Sequence, residues 1–186
     1  MKSYKILQKQ IFESGIYKIV PIRYDDRALI MNWRNEQIYH LRQNHLLTIE
    51  EQDSYFLNTV NKLFDKRNPD QILFSFLEND ICIGYGGLVH INWFDKNAEI
   101  SFIINTSLEE KWFQKHWSTY LQLIEKVAFD ELTFHKIFAY AFDVRPHLYE
   151  TLEGNNFFKD AVLKEHRLFN GSFIDVIIYS KLSSVG

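Results

Sequence analysis

Residues 98–142 read AEISFIINTSLEEKWFQKHWSTYLQLIEKVAFDELTFHKIFAYAF, a strand, a long helix and a second strand. Ala98–Ile104 alternates, with Glu99, Ser101 and Ile103 on one face and Ile100, Phe102 and Ile104 on the other. Trp117, Tyr120, Leu121, Ile124, Val127 and Ala128 then recur at helical spacing in one stripe that ends near Leu132. Lys136–Phe142 returns to a strand pattern.

Upstream of this stretch, Ile72–Leu77 and Cys82–Ile91 read as strands, and the short connections Glu78-Asn79-Asp80 and Phe94-Asp95-Lys96-Asn97 suit antiparallel hairpins. Thr48-Ile49-Glu50-Glu51 is a capping box, in which hydroxyl and carboxylate satisfy orphan amides, and it predicts a helix running to about Phe64. The polar loop 65–70 follows, broken by Pro69. Earlier, Tyr17–Ile22 is a first strand, and Tyr24-Asp25-Asp26-Arg27 opens a helix carrying Leu29, Ile30, Trp33 and Ile38. Downstream, a helix over Pro146–Glu153 leads to Gly154-Asn155-Asn156 and then to two strands joined at the hairpin signal Asn170-Gly171. The order is strand, two helices, three strands, helix, strand, helix, two strands.

The chain has 186 residues, enough for one sizeable core and short for two, so one domain over 1–186 is expected. With 21 Lys plus Arg against 24 Asp plus Glu, there is no basic excess that points to nucleic acid. The single cysteine, Cys82, excludes an internal disulfide, and neither a secretion signal nor a membrane span is legible. A cytoplasmic protein is the expectation. The seven histidines show no paired metal spacing, and Gly84-Tyr85-Gly86-Gly87 lies inside a strand, which excludes a dinucleotide fingerprint. No metal is expected.

Three local texts carry a resemblance: Leu29-Ile30-Met31-Asn32-Trp33-Arg34-Asn35, Ala98-Glu99-Ile100-Ser101-Phe102, and Ala128-Phe129-Asp130-Glu131-Leu132 leading to His135-Lys136-Ile137. Together with the element order, over roughly residues 17 to 181, the chain resembles the GNAT superfamily of N-acetyltransferases. The likeness is to the branch with ribosomal-protein alanine acetyltransferases and nucleotide-amino-sugar acetyltransferases. It implies an α+β fold: a mixed, mostly antiparallel sheet flanked by helices and splayed between its fourth and fifth strands, here Ala98–Ile104 and Lys136–Phe142. It also implies acetyl-CoA in that split, with the pantetheine arm against the backbone of Phe102, Ile103 and Ile104 and the pyrophosphate at a helix start.

The family's Gln/Arg-x-x-Gly-x-Gly/Ala phosphate loop falls on Trp112, Lys115 and Trp117, and all three positions depart from it. Two readings stand. In one, Lys111, Lys115 and His116 supply charge, and the Ser118 hydroxyl with the amides around Trp117 completes an altered cradle. In the other, Ser107-Leu108-Glu109-Glu110 caps a helix that starts early and makes Lys111–Tyr120 ordinary helix.

Acetyl transfer to an amine needs a base and an acid. The resemblance offers Glu99 as base, against a salt-bridged carboxylate as the structural alternative. The family's tyrosine acid falls on Leu152, which leaves Tyr149, one turn earlier, as the substitute, with His147 a further candidate. The acceptor would lie over the first two helices against Trp33, Arg34, Arg42, Gln43 and Tyr85, where Gly86-Gly87 marks either a close ligand approach or a bulge.

The expected function is transfer of acetyl from acetyl-CoA to a primary amine of a small molecule, an amino sugar or nucleotide-linked amino sugar. A protein amino terminus and a non-catalytic GNAT-like binding module are the alternatives. Exposed strand edges at the carboxyl end are compatible with a homodimer.

Overall fold

The computed structural model describes residues 2–184. One sheet of eight strands runs in the order β1-β2-β3-β4-β5-β6-β8-β7. The strands are β1 (Phe12–Ser14), β2 (Tyr17–Pro21), β3 (Ile72–Glu78), β4 (Ile81–Asn92), β5 (Asn97–Ile104), β6 (Lys136–Phe142), β7 (Phe158–Phe169) and β8 (Ser172–Leu182). Every adjacent pair is antiparallel except β5 and β6. The α+β architecture expected from the pattern is therefore the one observed.

β1 is absent from the sequence reading. It is three residues long and pairs with β2 in a local hairpin across the turn Gly15-Ile16 (Gly15 φ +60°), too short to show an alternating pattern. Ahead of it, buried Tyr4 accepts from the Leu73 N–H and donates to the Leu73 carbonyl, both at 2.9 Å, which seals the amino-terminal segment onto β3. Because of β1, the diverging strands are the fifth and sixth, one further along than expected.

The first helices are α1 (Arg27–Glu36), α2 (Ile49–Tyr55), and α3 (Asn61–Leu63), which continues α2 through a π-helical turn at Phe56–Val60. The capping box at Thr48 and Glu51 forms as expected. The long helix α4 spans Thr106–Glu125 and continues through a π-helical turn to Glu131, while α5 spans Pro146–Gly154. The stripe on α4 predicted from spacing is buried: Trp117, Tyr120, Leu121, Ile124, Val127 and Ala128 all belong to the core. Tyr120 lies flat on Phe102 of β5, with ring centroids 3.8 Å apart and planes at 7°. At the other end, Asn170 (φ +48°) and Gly171 (φ +80°) make the tight turn between β7 and β8.

Gly86 and Gly87 mark neither a bulge nor a ligand approach, because the β3–β4–β5 ladders run through them without a break. They are places where backbones close in: a Cβ on Gly86 would stand 2.1 Å from the Ser101 carbonyl oxygen, and one on Gly87 would stand 2.0 Å from that of Ile72. The irregularities lie elsewhere, between Phe76 and Leu77 and between Val89 and Asn92.

Candidate functional site

β5 and β6 pair in parallel only at Asn97↔Lys136, Ala98↔Ile137 and Glu99↔Phe138. Beyond those three rungs the strands diverge, so the facing edges of residues 100–104 and 139–142 lack ladder partners on that side among the described residues. β6 stays fully paired to β8 on its other edge, so the fork opens toward β5.

A cavity of about 530 Å³ occupies the fork and extends under α1 and α2. Its walls include Phe102 and Trp117 on one side and Ala139–Phe142 on the other. The Trp117 indole packs edge-on against Phe102 at 5.0 Å and stands as a wall of the space without filling it.

On the acceptor side, Arg34 donates to the Tyr85 hydroxyl at 2.6 Å and to Gln43 Oε1 at 3.0 Å. Arg34 and Tyr85 line the cavity, and Gln43 holds Arg34 from behind. The Tyr85 oxygen beside it raises the Arg34 pKa and fixes its charge. Arg42 also lines the cavity: it donates to Glu99 Oε1 at 2.7 Å, and its guanidinium lies over the Tyr140 ring at 4.0 Å. Trp33 belongs instead to the core, 5% exposed and away from the cavity wall. Its aromatic bulk on an amphipathic helix reads equally as packing.

Glu99 lines the cavity with both oxygens engaged, the second by His90 Nδ1 at 2.9 Å. Of the β5 residues expected to meet the pantetheine arm, Phe102 lines the cavity, while Ile103 and Ile104 are buried away from its wall. The Ile104 carbonyl is already taken by Gln37 Nε2 at 2.7 Å.

The phosphate end corrects the altered-cradle reading. α4 begins at Thr106, capped by the Asn105 side chain on the Ser107 N–H and not by Ser107, so Lys111–Ser118 are internal turns of the helix. Internal amides already point at carbonyls one turn back, which leaves no cradle of free N–H groups there. Lys115 instead lies near the rings of Tyr17 and Trp112, and Lys111 near Trp112. His116 is buried against Tyr17 and Phe76, and burial lowers its pKa. Ser118 Oγ accepts from Asn155 at 2.9 Å. Of these five, only Trp117 faces the fork.

A different cation does enter the fork. Arg145, at the N-cap of α5, is 4% exposed, pairs with Glu109 in the first turn of α4, and meets the His40 ring nitrogens at 3.1 and 3.2 Å. Burial lowers its pKa. The Arg145 Nε and Trp117 Nε1 donors have no protein partner, and both residues line the same cavity.

Tyr149 does not present its hydroxyl to the cavity. The group donates to Asp143 Oδ1 at 3.0 Å or to the Phe142 carbonyl at 3.2 Å, and the ring stacks on Tyr179. Burial and the adjacent Asp143 carboxylate push its pKa far above the ordinary tyrosine value, the opposite of a ready proton donor. His147 borders a second hollow, between the start of α4 and α5, with Glu109, Glu110 and Glu150.

A sheet forked between two parallel central strands, with a helix crossing behind the fork, defines an acyltransferase of the GNAT class. Residues 19–178 match the family model described as an acetyltransferase (GNAT) domain, and the chain belongs to that family. It is an N-acetyltransferase, and acetyl-CoA is the acyl donor the family uses. Among solved structures, spermidine N-acetyltransferase from Vibrio cholerae in complex with CoA and spermine is similar at TM-score 0.78 and 19% identity, over 92% of this chain and 98% of that one. The dodecameric form of that enzyme in an intermediate state is similar at TM-score 0.77 and 20% identity, over 92% and 96%.

The residues in the fork fit the donor. Unpaired strand edges suit a linear amide-bearing arm, and the two orphaned donors, Trp117 Nε1 and Arg145 Nε, suit its oxygens. Among the described residues no helix is long and apolar enough to cross a membrane.

Proposed function

We propose that the acceptor is a small primary amine that also carries an anionic or hydroxyl-rich group, an amino sugar or nucleotide-linked amino sugar. The observation that carries this reading is Arg34. It is a charged guanidinium in the cavity wall whose hydrogen-bond partners are a phenol and an amide, with no carboxylate against it. Arg42 is paired with Glu99 and Arg145 with Glu109, which leaves Arg34 as the guanidinium of the wall without a carboxylate partner. An acceptor phosphate or carboxylate would neutralise that charge, whereas a polycation would add to it. Glu99, with Arg42 and His90 upon it, marks the end of the cavity where the amine loses its proton. Phe102, Trp117 and Arg145 hold the acyl donor.

A polyamine acceptor is the second reading. The spermidine N-acetyltransferases among similar structures favour it, as do the ring faces of Tyr55, Tyr85 and Tyr140 in the wall, which suit ammonium groups. Thiol release from acetyl-CoA, followed with amino sugars, nucleotide-linked amino sugars, spermidine, spermine and peptides with free amino termini, separates these readings from each other and from amino-terminal acetylation. For an anionic acceptor, Arg34→Gln should raise KM on the order of 10–100-fold, the worth of one charge-assisted hydrogen bond. Preferred turnover of spermidine, with KM unchanged or lowered by Arg34→Gln, would overturn the anionic reading.

A further inference from the structure

His90 sits where β4 breaks step with β5. The register is regular up to Val89↔Glu99 and resumes at Asn92↔Asn97, so His90 and Ile91 together oppose Ala98. His90 has φ +48°, a left-handed conformation that costs a residue with a Cβ about 1–3 kcal/mol. In an unbroken strand the residue after Val89 would point to the face opposite Glu99. The bulge turns it back: His90 Nδ1 lies 2.9 Å from Glu99 Oε2, and His90 lines the cavity.

The protonation pattern of this pair follows from its neighbours. Glu99 is 12% exposed along its side chain and accepts from Arg42 on its other oxygen, so the carboxylate is ionised and can only accept. The proton between it and His90 therefore belongs to Nδ1. A second contact, Arg42 Nη1 to His90 Nδ1 at 3.4 Å, conflicts with this because it would set two donors against each other. The 2.9 Å contact to a carboxylate is the shorter and the charge-assisted one, so it decides the tautomer. The Nε2 lone pair is left free.

We propose that His90 is the base of the acetyl-transfer reaction and that Glu99 is its positioning residue. The proposal rests on the reading of the cavity as the site where an amine meets acetyl-CoA. Glu99 is a poor base for the task, since a proton arriving on it would cancel the charge that pairs with Arg42 and displace the His90 N–H from Oε2. His90 needs no such rearrangement. One ammonium N–H bond of the acceptor breaks, an N–H bond forms at Nε2, and the electron pair stays on the acceptor nitrogen for attack. The imidazolium then returns the proton to solvent, which it can reach because the side chain is 62% exposed. The charged and titratable groups around it are Glu99 on β5, Arg42 from the segment after α1, and Tyr140 on β6 beneath Arg42.

The test uses the full chain with His90→Gln, His90→Ala and Glu99→Gln, each checked for native circular dichroism and for CoA binding by calorimetry. Long-range ¹H–¹⁵N spectra should show neutral His90 as the Nδ1–H tautomer, with the preference lost in Glu99→Gln. Both His90 variants should bind CoA like the wild type but lose about 10²–10⁴-fold in kcat. The acid limb of the kcat–pH profile should disappear in His90→Ala, and added imidazole should restore part of the rate. An Nε2–H tautomer in the wild type, or His90 variants within threefold of wild-type kcat with the acid limb intact, would overturn the assignment. A wild-type chain that fails to bind CoA would sink the acetyltransferase reading instead, and the tautomer would still decide whether the pair exists.

Discussion

Replacing Glu109 by Gln keeps the shape of the side chain and strips the charge that compensates Arg145. Arg145 is 5% exposed along its side chain and Glu109 15%, so water cannot take over from the lost carboxylate. The remaining contacts are the neutral ring of His40 and the face of Phe113, 5.0 Å from the guanidinium carbon. Breaking a buried pair from one side costs about 3–5 kcal/mol, and the partial exposure of Glu109 points to the lower end. For a domain of this size each kcal/mol moves Tm by roughly 2–4 °C, so the expected fall is on the order of 6–12 °C. Thermal and urea unfolding would measure it, and the loss should persist in high salt because screening does not reach a buried pair. The double replacement Arg145→Met with Glu109→Leu should recover most of the stability, since no charge is then stranded. A single-variant cost below about 1 kcal/mol, or one that vanishes in salt, would show that the pair behaves as a surface contact and that Arg145 is not held as described.

His40 provides a pH signature. Burial, and then the neighbouring Arg145, push its pKa down to about 3. The unfolded chain therefore binds one more proton than the folded one between about pH 3 and the ordinary imidazole value of about 6.5, and stability falls as pH drops through that window. Between pH 6.5 and 5 this single group should remove about 2 kcal/mol. His40→Gln should flatten that part of the stability–pH curve, and a slope equal to the wild type's would refute the assignment. Gly86→Ala should destabilise by at least the upper end of the roughly 1–3 kcal/mol typical of overpacking, because the clashing atoms include the Ser101 carbonyl and the Phe102 Cα. A urea midpoint that does not move would mean that β4 and β5 separate without cost.

Much of the fold could be read from the chain because it rests on local periodicity: the stripe from Trp117 to Ala128, the alternation of Ala98–Ile104, the capping box at Thr48 and the turn at Asn170-Gly171 all reappear in place. β1 escaped because a three-residue hairpin strand is too short to show a period. The grouping of the candidate site was legible where a side chain's placement follows from its strand face or helix turn, as for Glu99, Arg34 and Tyr85, which line one cavity with Arg42 of the loop between α1 and α2. It was illegible where geometry depends on distant pairing. His90 reaches Glu99 only through a left-handed residue in a bulge, and His40 and Arg145 meet across 105 positions of sequence. The early start of α4 was one of two open readings, and the contest was settled by Asn105, a cap two residues ahead of the Ser107 pattern.

Arg42 touches both prongs of the fork, Glu99 on β5 through a hydrogen bond and Tyr140 on β6 through its ring face. One arginine thus bridges the two strands at the closed end of the fork, where their ladder stops, and the segment that carries it, between α1 and α2, is tied to both. A change that displaces this segment would therefore remove a side-chain tie between β5 and β6 that stands beside the backbone rungs.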